Sequence, residues 1–268
     1  DGNVVSIEVS EEAVVGQKHA VPIPLSQPVL SCWLHWGKLP SSREAPDLDL
    51  SAVMFDGKAR VTETVFYRNL SSHHEAVAHT GDDTDVAPGE EGEGEHDRAA
   101  GTRRMEGIVV ELPRIPTSCH VIMFTVSCYT DETSLADASG AEMRVCVGRG
   151  GGGGLSEDIV RYYLTSERYN AAAPCILVRD PEAESGWRLQ TMARVALGNV
   201  AIEMVPTLQQ MLRQSGVCVP YSLEVEYCRA PRPTLSLRGR TSDFSSSFRA
   251  VVGACARAFP GVNVVGNP

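Results

Sequence analysis

Short runs of apolar and β-branched residues, separated by Gly, Pro, Asn and Asp, recur along most of the chain. Apolar runs of this length between turn residues are typical of β-strands, and no helical period separates them. The pattern therefore predicts a mainly β fold, an antiparallel β-sandwich, and not a βαβ series. The predicted strands cover residues 4–9, 29–36, 51–55, 64–67, 108–112, 121–129, 142–147, 161–164, 173–178 and 187–196.

Two segments have the helical period in place of the strand pattern. Residues 199–214 place apolar side chains on one face, from Ala201 to Leu212, and Gly216 follows as a stop signal. Residues 242–259 begin with Ser and Asp, which are good N-caps, carry one apolar stripe, and end before a Pro-Gly pair. The sequence predicts an α-helix in each segment.

The second predicted helix lies between predicted strands at residues 222–227 and 262–265, after a polar loop rich in Arg, Pro and Ser. Strand, helix and strand make a βαβ unit, which alone buries too little surface to be a complete domain. We therefore expect two parts: a β-sandwich over residues 1–216 and a partial βαβ segment over residues 217–268.

Charge narrows the choice of partners. The 268 residues carry a formal net charge of −10. From Thr80 to Asp97 inclusive, the chain carries eight acidic residues and no Lys or Arg. This excess argues against nucleic acid and anionic lipid as partners and favours a divalent cation. No window approaches 18 uninterrupted apolar residues, so membrane insertion is not expected.

The positions of the cysteines and the lack of known catalytic motifs exclude several classes of function. The eight cysteines are scattered and form no C-x-x-C pair, so neither a zinc ribbon nor a dithiol motif is present. Cysteines inside apolar runs behave as small hydrophobes in a reducing compartment, and no apolar signal region lies near the start; a cytoplasmic location is expected. No nucleophile elbow or H-E-x-x-H is present, so no enzymatic activity is expected. His73, His74 and His79 lie near acidic residues and offer zinc as an alternative.

Oxygen-bearing side chains alternate at Asp47, Asp49 and Ser51. In an extended strand they point to one side and can converge on a hard cation such as Ca²⁺. An EF-hand is excluded, because its required Gly and Glu positions hold Ala52 and Lys58. A solvated strand face is the alternative, and the acidic stretch farther along the chain favours the cation.

Several motifs follow one another in a fixed order. They are D-L-D-L-S at 47–51, V-F-Y-R-N-L at 65–70, H-T-G-D at 79–82, G-E-G-E at 92–95 and E-L-P-R-I-P at 111–116. Together they resemble the TerD family of tellurite-resistance and stress-response proteins, and the similarity runs from about residue 3 to residue 215. The resemblance implies a β-sandwich that binds calcium ions through loop and strand carboxylates, without known enzymatic chemistry. Protein partners are expected as well.

The resemblance also nominates metal ligands, position by position: Asp47, Asp49, Asn69, Asp82, Asp83 and Glu106. Asp83 stands where the family usually has Asn, and Arg104-Met105 stands where the family has an acidic pair. At least one metal position is therefore expected to be weakened or lost. The same resemblance makes His79 a turn residue.

A second resemblance covers residues 222–268. The segments around Cys228 and Asn267 resemble the selenoprotein W-like, thioredoxin-like group, but Pro231 replaces the second redox residue, which excludes a dithiol cycle within the motif. Three functions stay open: a calcium-binding, non-enzymatic stress-response or scaffold module; a thiol-redox protein that acts through Cys228 with a regulatory β domain; and a structural module without metal. The first is the prediction.

Overall fold

The computed structural model describes residues 4–10, 20–42, 45–82, 84–86, 103–148, 157–217, 224–228, 234–238 and 263–267. Within these ranges the chain forms sixteen strands and one α-helix, so the prediction of a mainly β fold is confirmed. The strands are β1 (Val5–Val9), β2 (Ala20–Pro22), β3 (Val29–Lys38), β4 (Leu48–Phe55), β5 (Val61–Val65), β6 (Val77–His79), β7 (Thr84–Val86), β8 (Arg103–Glu111), β9 (Val121–Cys128), β10 (Ala138–Val147), β11 (Glu157–Leu164), β12 (Ala171–Arg179), β13 (Trp187–Ala196), β14 (Glu224–Cys228), β15 (Thr234–Arg238) and β16 (Asn263–Asn267). The helix α1 spans Ala201–Ser215.

The chain divides into two compact units. The first consists of Asp1–Asp56 and Arg60–Gln209, and the second of Gly57–Ala59 and Gln210–Pro268. Strands β1 to β13 belong to the first unit, and β14 to β16 belong to the second.

Two sheets build the first unit. One has the strand order β1-β11-β10-β3-β8-β6, with β7 also paired to β8, and the other has the order β2-β13-β12-β9-β4-β5. Within the described part of both sheets, β1 with β11 is the parallel pair and the other pairs are antiparallel. Both sheets contribute to one apolar core, for example Trp36 from β3, Leu50 from β4 and Phe124 from β9. The predicted sandwich architecture is confirmed.

Two inner strands of the second sheet, β4 and β9, are buried on both faces. All eight residues of β4 and all eight of β9 are buried, so neither strand has a solvent-exposed face. Strand β4 begins at Leu48, three residues before the predicted start, so Asp49 lies inside a buried strand. Strand β5 ends at Val65, earlier than predicted, because Phe66 and Asn69 close a turn through two backbone hydrogen bonds.

Three short strands, β2, β6 and β7, were not predicted. Each has three residues, which is too short for a clear apolar period. His79 is the last residue of β6, and Val77 and His79 are buried while Ala78 between them is exposed. The prediction of His79 as a turn residue was therefore wrong.

Helix α1 confirms the helix predicted at residues 199–214, and it contains Pro206. Its residues Ala201, Met204 and Leu208 are buried and share one face. No helix in the described part of the chain is both long and apolar enough to cross a membrane.

The second unit contains a three-stranded sheet. Strand β15 lies between β14, which is antiparallel to it, and β16, which is parallel to it. The prediction of a polar loop was wrong at β15, where Thr234, Leu235, Ser236 and Leu237 alternate with the strand period. The helix predicted at residues 242–259 lies outside the described residues, and a thioredoxin-like βαβ segment is not confirmed.

Candidate metal centre

Three carboxylates from distant parts of the sequence meet in the first unit. Asp49 lies on β4, Glu106 on β8 and Asp82 three residues after β6. One carboxylate oxygen from each residue lies within 4.8 Å of the others. Asp49 is 5% exposed and Glu106 is 1% exposed, whereas Asp82 is exposed to solvent. The cluster therefore joins the two sheets and opens to water at Asp82.

Glu106 is held against the edge of β4. Strand β5 pairs with β4 only from Ala52 onwards, so the backbone of Leu50 has no strand partner on that side. The Leu50 N–H donates to Glu106 Oε2 at 2.7 Å. His79 Nε2 lies 3.0 Å from the Leu50 carbonyl oxygen. Two side chains from the other sheet therefore satisfy the backbone groups where the strand pairing ends.

The turn after β6 is fixed to β8. The Thr80 N–H donates to the Gly107 carbonyl oxygen, and the Gly107 N–H donates to Thr80 Oγ1, both at 2.9 Å. Gly81 has φ +113°, a conformation that side-chain-bearing residues rarely adopt, and its N–H donates to His79 Nδ1 at 3.1 Å. These contacts carry the chain to Asp82 beside Glu106.

The electrostatics of Asp49 set it apart from an ordinary buried carboxylate. Burial raises the pKa of Asp49 to about 8, and the negative charges of Glu106, Asp47 and Asp82 contribute to the increase, while Arg68 opposes them. Asp49 Oδ2 is buried and has no hydrogen-bond partner among the described residues. An ionised carboxylate whose buried oxygen lacks a partner, beside other carboxylates, is unfavourable unless a proton or a cation compensates its charge.

Asp47 belongs to the surroundings of the cluster. Burial raises its pKa, Asp82 raises it as well, and Arg104 lowers it. Its backbone N–H donates to Thr130 Oγ1 at 2.9 Å. Asp47 is therefore electrostatically coupled to the cluster but is not among the three residues whose oxygens lie within 4.8 Å of one another.

The two remaining predicted ligands are Asn69 and Asp83. Asn69 is exposed, and its Nδ2 donates to the Thr64 carbonyl oxygen at 2.7 Å, so the amide group helps to close the turn after β5. Asp83 lies outside the described residues. As ligands, all six residues stay predictions.

Sequence reasoning missed two neighbours of the cluster. His79 is buried, and its two ring nitrogens face Leu50 and Gly81. Arg68, in the turn after β5, acts electrostatically on Asp49, and its Cζ lies 5.1 Å from the centre of the Tyr67 ring. On β6, His79 lies two residues after the buried Val77, so both side chains point to the same face of the strand. Among the described residues, the candidate metal group contains no His or Cys, which does not favour zinc.

The cysteines of the described chain behave as small hydrophobes. Those described are free and buried: Cys32, Cys119, Cys128, Cys146 and Cys175. Burial is the first cause of a raised pKa at each of their thiols, so the unreactive thiol form is favoured. The side chain of Cys228 lies outside the described residues.

The fold and the cluster define a β-sandwich protein with a candidate site for a hard cation. Residues 23–200, more than half of the chain, match the TerD domain. The chain belongs to the TerD domain family, and the first resemblance is confirmed. No similarity supports a selenoprotein W-like segment or the redox alternative that depends on it.

Three known proteins are similar to parts of this chain. The tellurium resistance protein TerZ of Serratia marcescens is 30% identical over 131 residues, 49% of this chain, and the chain spans 58% of the length of that relative. A solved structure of a telluride resistance protein (TerD) homologue from Streptomyces coelicolor A3(2) is 16% identical with a TM-score of 0.47, covering 68% of this chain and 98% of that one. A second solved structure, of a protein of unknown function, has a TM-score of 0.48 at 16% identity and covers 68% of this chain and 96% of its own.

Proposed function

We propose that this TerD-family chain binds calcium between Asp49, Asp82 and Glu106 and acts as a non-enzymatic stress-response or scaffold module. The observation that supports it most directly is the buried Asp49 Oδ2, which lacks a hydrogen-bond partner among the described residues and lies beside two further carboxylates. A bound divalent cation supplies the positive charge that this arrangement needs.

Calcium suits the donor set better than magnesium or zinc. The three side chains offer only oxygen, and they come from two strands and a turn. Ca²⁺ accepts six to eight oxygen ligands in a flexible geometry, whereas Mg²⁺ demands a tight octahedron and zinc sites usually include nitrogen or sulfur. Water and the neighbouring Asp47 are the natural sources of the remaining ligands.

The family and the relative support the biological role that we propose. TerZ is named a tellurium resistance protein, and we propose that this chain serves the same kind of stress response. Its partners are proteins, and its location is a reducing compartment such as the cytoplasm, a location consistent with the buried free thiols.

Calorimetry on the metal-stripped protein tests the calcium proposal. We expect Ca²⁺ to bind more tightly than Mg²⁺, and Asp49→Asn and Asp82→Asn each to weaken calcium binding by about tenfold or more, which is about 1.4 kcal/mol. Glu182→Gln removes an exposed carboxylate and is the matched control; it should leave the affinity unchanged. Equal affinities for the two ions, or no heat with either, would contradict the assignment.

A further inference from the structure

We propose that His79 is the positioning residue of this site: one ring nitrogen holds the turn that leads to Asp82, and the other holds the strand edge beside Asp49. This inference rests on the proposed calcium site and adds a residue to it. His79 is itself no ligand, because both ring nitrogens already have partners within the protein.

The hydrogen bonds of His79 indicate which ring nitrogen carries the proton. The Gly81 N–H donates to Nδ1 at 3.1 Å, so Nδ1 is an acceptor and carries no proton. The proton of the neutral ring is then on Nε2, which donates to the Leu50 carbonyl oxygen at 3.0 Å. The side chain is 0% exposed, so water does not compete for either bond.

These two bonds connect the segments that carry Asp49 and Asp82. Leu50 follows Asp49 directly on β4, and Gly81 precedes Asp82 directly in the turn. Nε2 also lies 3.5 Å from Glu106 Oε2, the oxygen that accepts the Leu50 N–H. Groups that orient ligands in this way reduce the conformational entropy that a metal site loses on binding.

A histidine can make both bonds, whereas an amide side chain reproduces only one of them. The shorter amide, introduced by His79→Asn, places an oxygen at the δ position, where it can accept from Gly81, but it does not reach Leu50. The longer amide, introduced by His79→Gln, places its NH₂ at the ε position, where it can donate to Leu50, but it has no δ acceptor for Gly81. The two substitutions therefore separate the turn contact from the strand contact.

The test measures calcium binding by calorimetry and the hydrogen exchange of the Gly81 amide by NMR, on the full chain stripped of metal. We expect His79→Gln to weaken calcium binding by about tenfold, as is usual when a partner that orients a ligand is lost. Its Gly81 amide should exchange faster. His79→Asn should keep that amide protected, and it should weaken calcium binding less than His79→Gln does. His74→Gln, at an exposed position, is the control.

Each result bears on the inference. A His79→Gln protein with wild-type calcium affinity, or with a fully protected Gly81 amide, overturns the positioning role. Equal losses of affinity in the two variants, or unfolding of both, overturn it as well, because they make His79 a general structural residue. If wild-type protein binds no calcium, the proposed function fails first, and the positioning role fails with it.

Discussion

Two groups of carboxylates in the first unit differ in what compensates their charge. On β10 and β11, Arg144 Nε donates to Glu142 Oε1 at 2.9 Å, and Arg161 Nε donates to Asp158 Oδ2 at 2.9 Å. Each of these acids therefore has an arginine beside it. In the cluster of Asp49, Asp82 and Glu106, the Oδ2 of Asp49 is buried without a partner among the described residues.

The pKa values of Asp158 and Asp49 are shifted in opposite directions. Burial by itself would raise the pKa of Asp158, but hydrogen bonds from Cys146 and Arg161 outweigh burial and lower it. At Asp49, burial and three neighbouring acids raise the pKa to about 8, and Arg68 is too weak an influence to reverse the shift. The difference teaches that an arginine beside a buried carboxylate keeps it ionised, whereas burial among other carboxylates favours its protonated form.

Of the predicted effects, the stabilisation of the folded protein by calcium should be the largest. Binding only to the native state at a hundredfold excess over Kd adds about 2.7 kcal/mol to the free energy of unfolding. For a domain of this size we expect Tm to rise by about 5–10 °C. Differential scanning calorimetry with calcium and with a chelator measures this change in Tm. An unchanged Tm would contradict the prediction that calcium compensates the charge of the Asp49 cluster.

Asp49→Asn should stabilise the calcium-free protein at pH 8. The folded-state pKa of about 8 lies above the unfolded value, so the free energy of unfolding falls as the pH rises from about 4 to about 8. Removing the charge should restore about 2 kcal/mol at pH 8, because water at the open side of the cluster screens part of the full linkage effect.

Urea unfolding of both proteins at pH 5 and pH 8, in chelator, measures this gain. The wild type should lose stability between the two pH values, and the variant should lose less. Glu182→Gln, at an exposed position, should behave as the wild type. Parallel pH profiles for Asp49→Asn and wild type would show that ionisation of Asp49 does not destabilise the folded protein.

Arg161→Met should remove the arginine that donates hydrogen bonds to Asp158. Asp158 would lose the guanidinium that donates to its Oδ2, and its pKa should rise. Because both side chains are partly exposed, we expect a loss of about 1–2 kcal/mol and not the larger loss of a fully buried pair. NMR titration and urea unfolding measure the two effects, and a changed calcium affinity would contradict the separation of the two groups.

Much of the fold could be predicted because its signal is local. Strand β13 was predicted with its observed bounds, Trp187–Ala196, since apolar and polar residues alternate at its start and turn residues lie near both of its ends. Strand β4 was predicted too short, because Asp49 inside a buried strand contradicts the apolar pattern. The strand at β15 was missed because its surroundings are rich in Arg and Pro, although its own residues alternate.

The site could be predicted only through the family resemblance. Asp49 and Glu106 lie far apart in the sequence, on strands of different sheets, and no local pattern brings them together. The alternation of Asp47 and Asp49 was a true signal of an acidic site, yet it does not reveal that Asp47 stays outside the closest group. His79 was missed because its role depends on where the pairing of β4 with β5 ends.

The smallest effect should come from the acidic stretch that follows the cluster. Glu90 and Glu91 belong to the run of acids between Thr80 and Asp97. If they act on the ion only through their field, that field is screened within about 8 Å at physiological salt. Replacing both by Gln should then weaken calcium binding by less than about threefold, which is about 0.6 kcal/mol. The effect should disappear at about 1 M salt, where the screening length is about 3 Å.

Asp82→Asn is the matched comparison for these two charges. Asp82 supplies an oxygen within 4.8 Å of those of Asp49 and Glu106, so its loss should weaken binding at low and high salt alike. Calorimetry of both variants at two salt concentrations separates direct ligation from a diffuse negative field, because direct contacts are screened far less than distant charges. Similar, small and salt-sensitive losses in both variants would mean that Asp82 acts only through its charge and that the three carboxylates do not form a defined site.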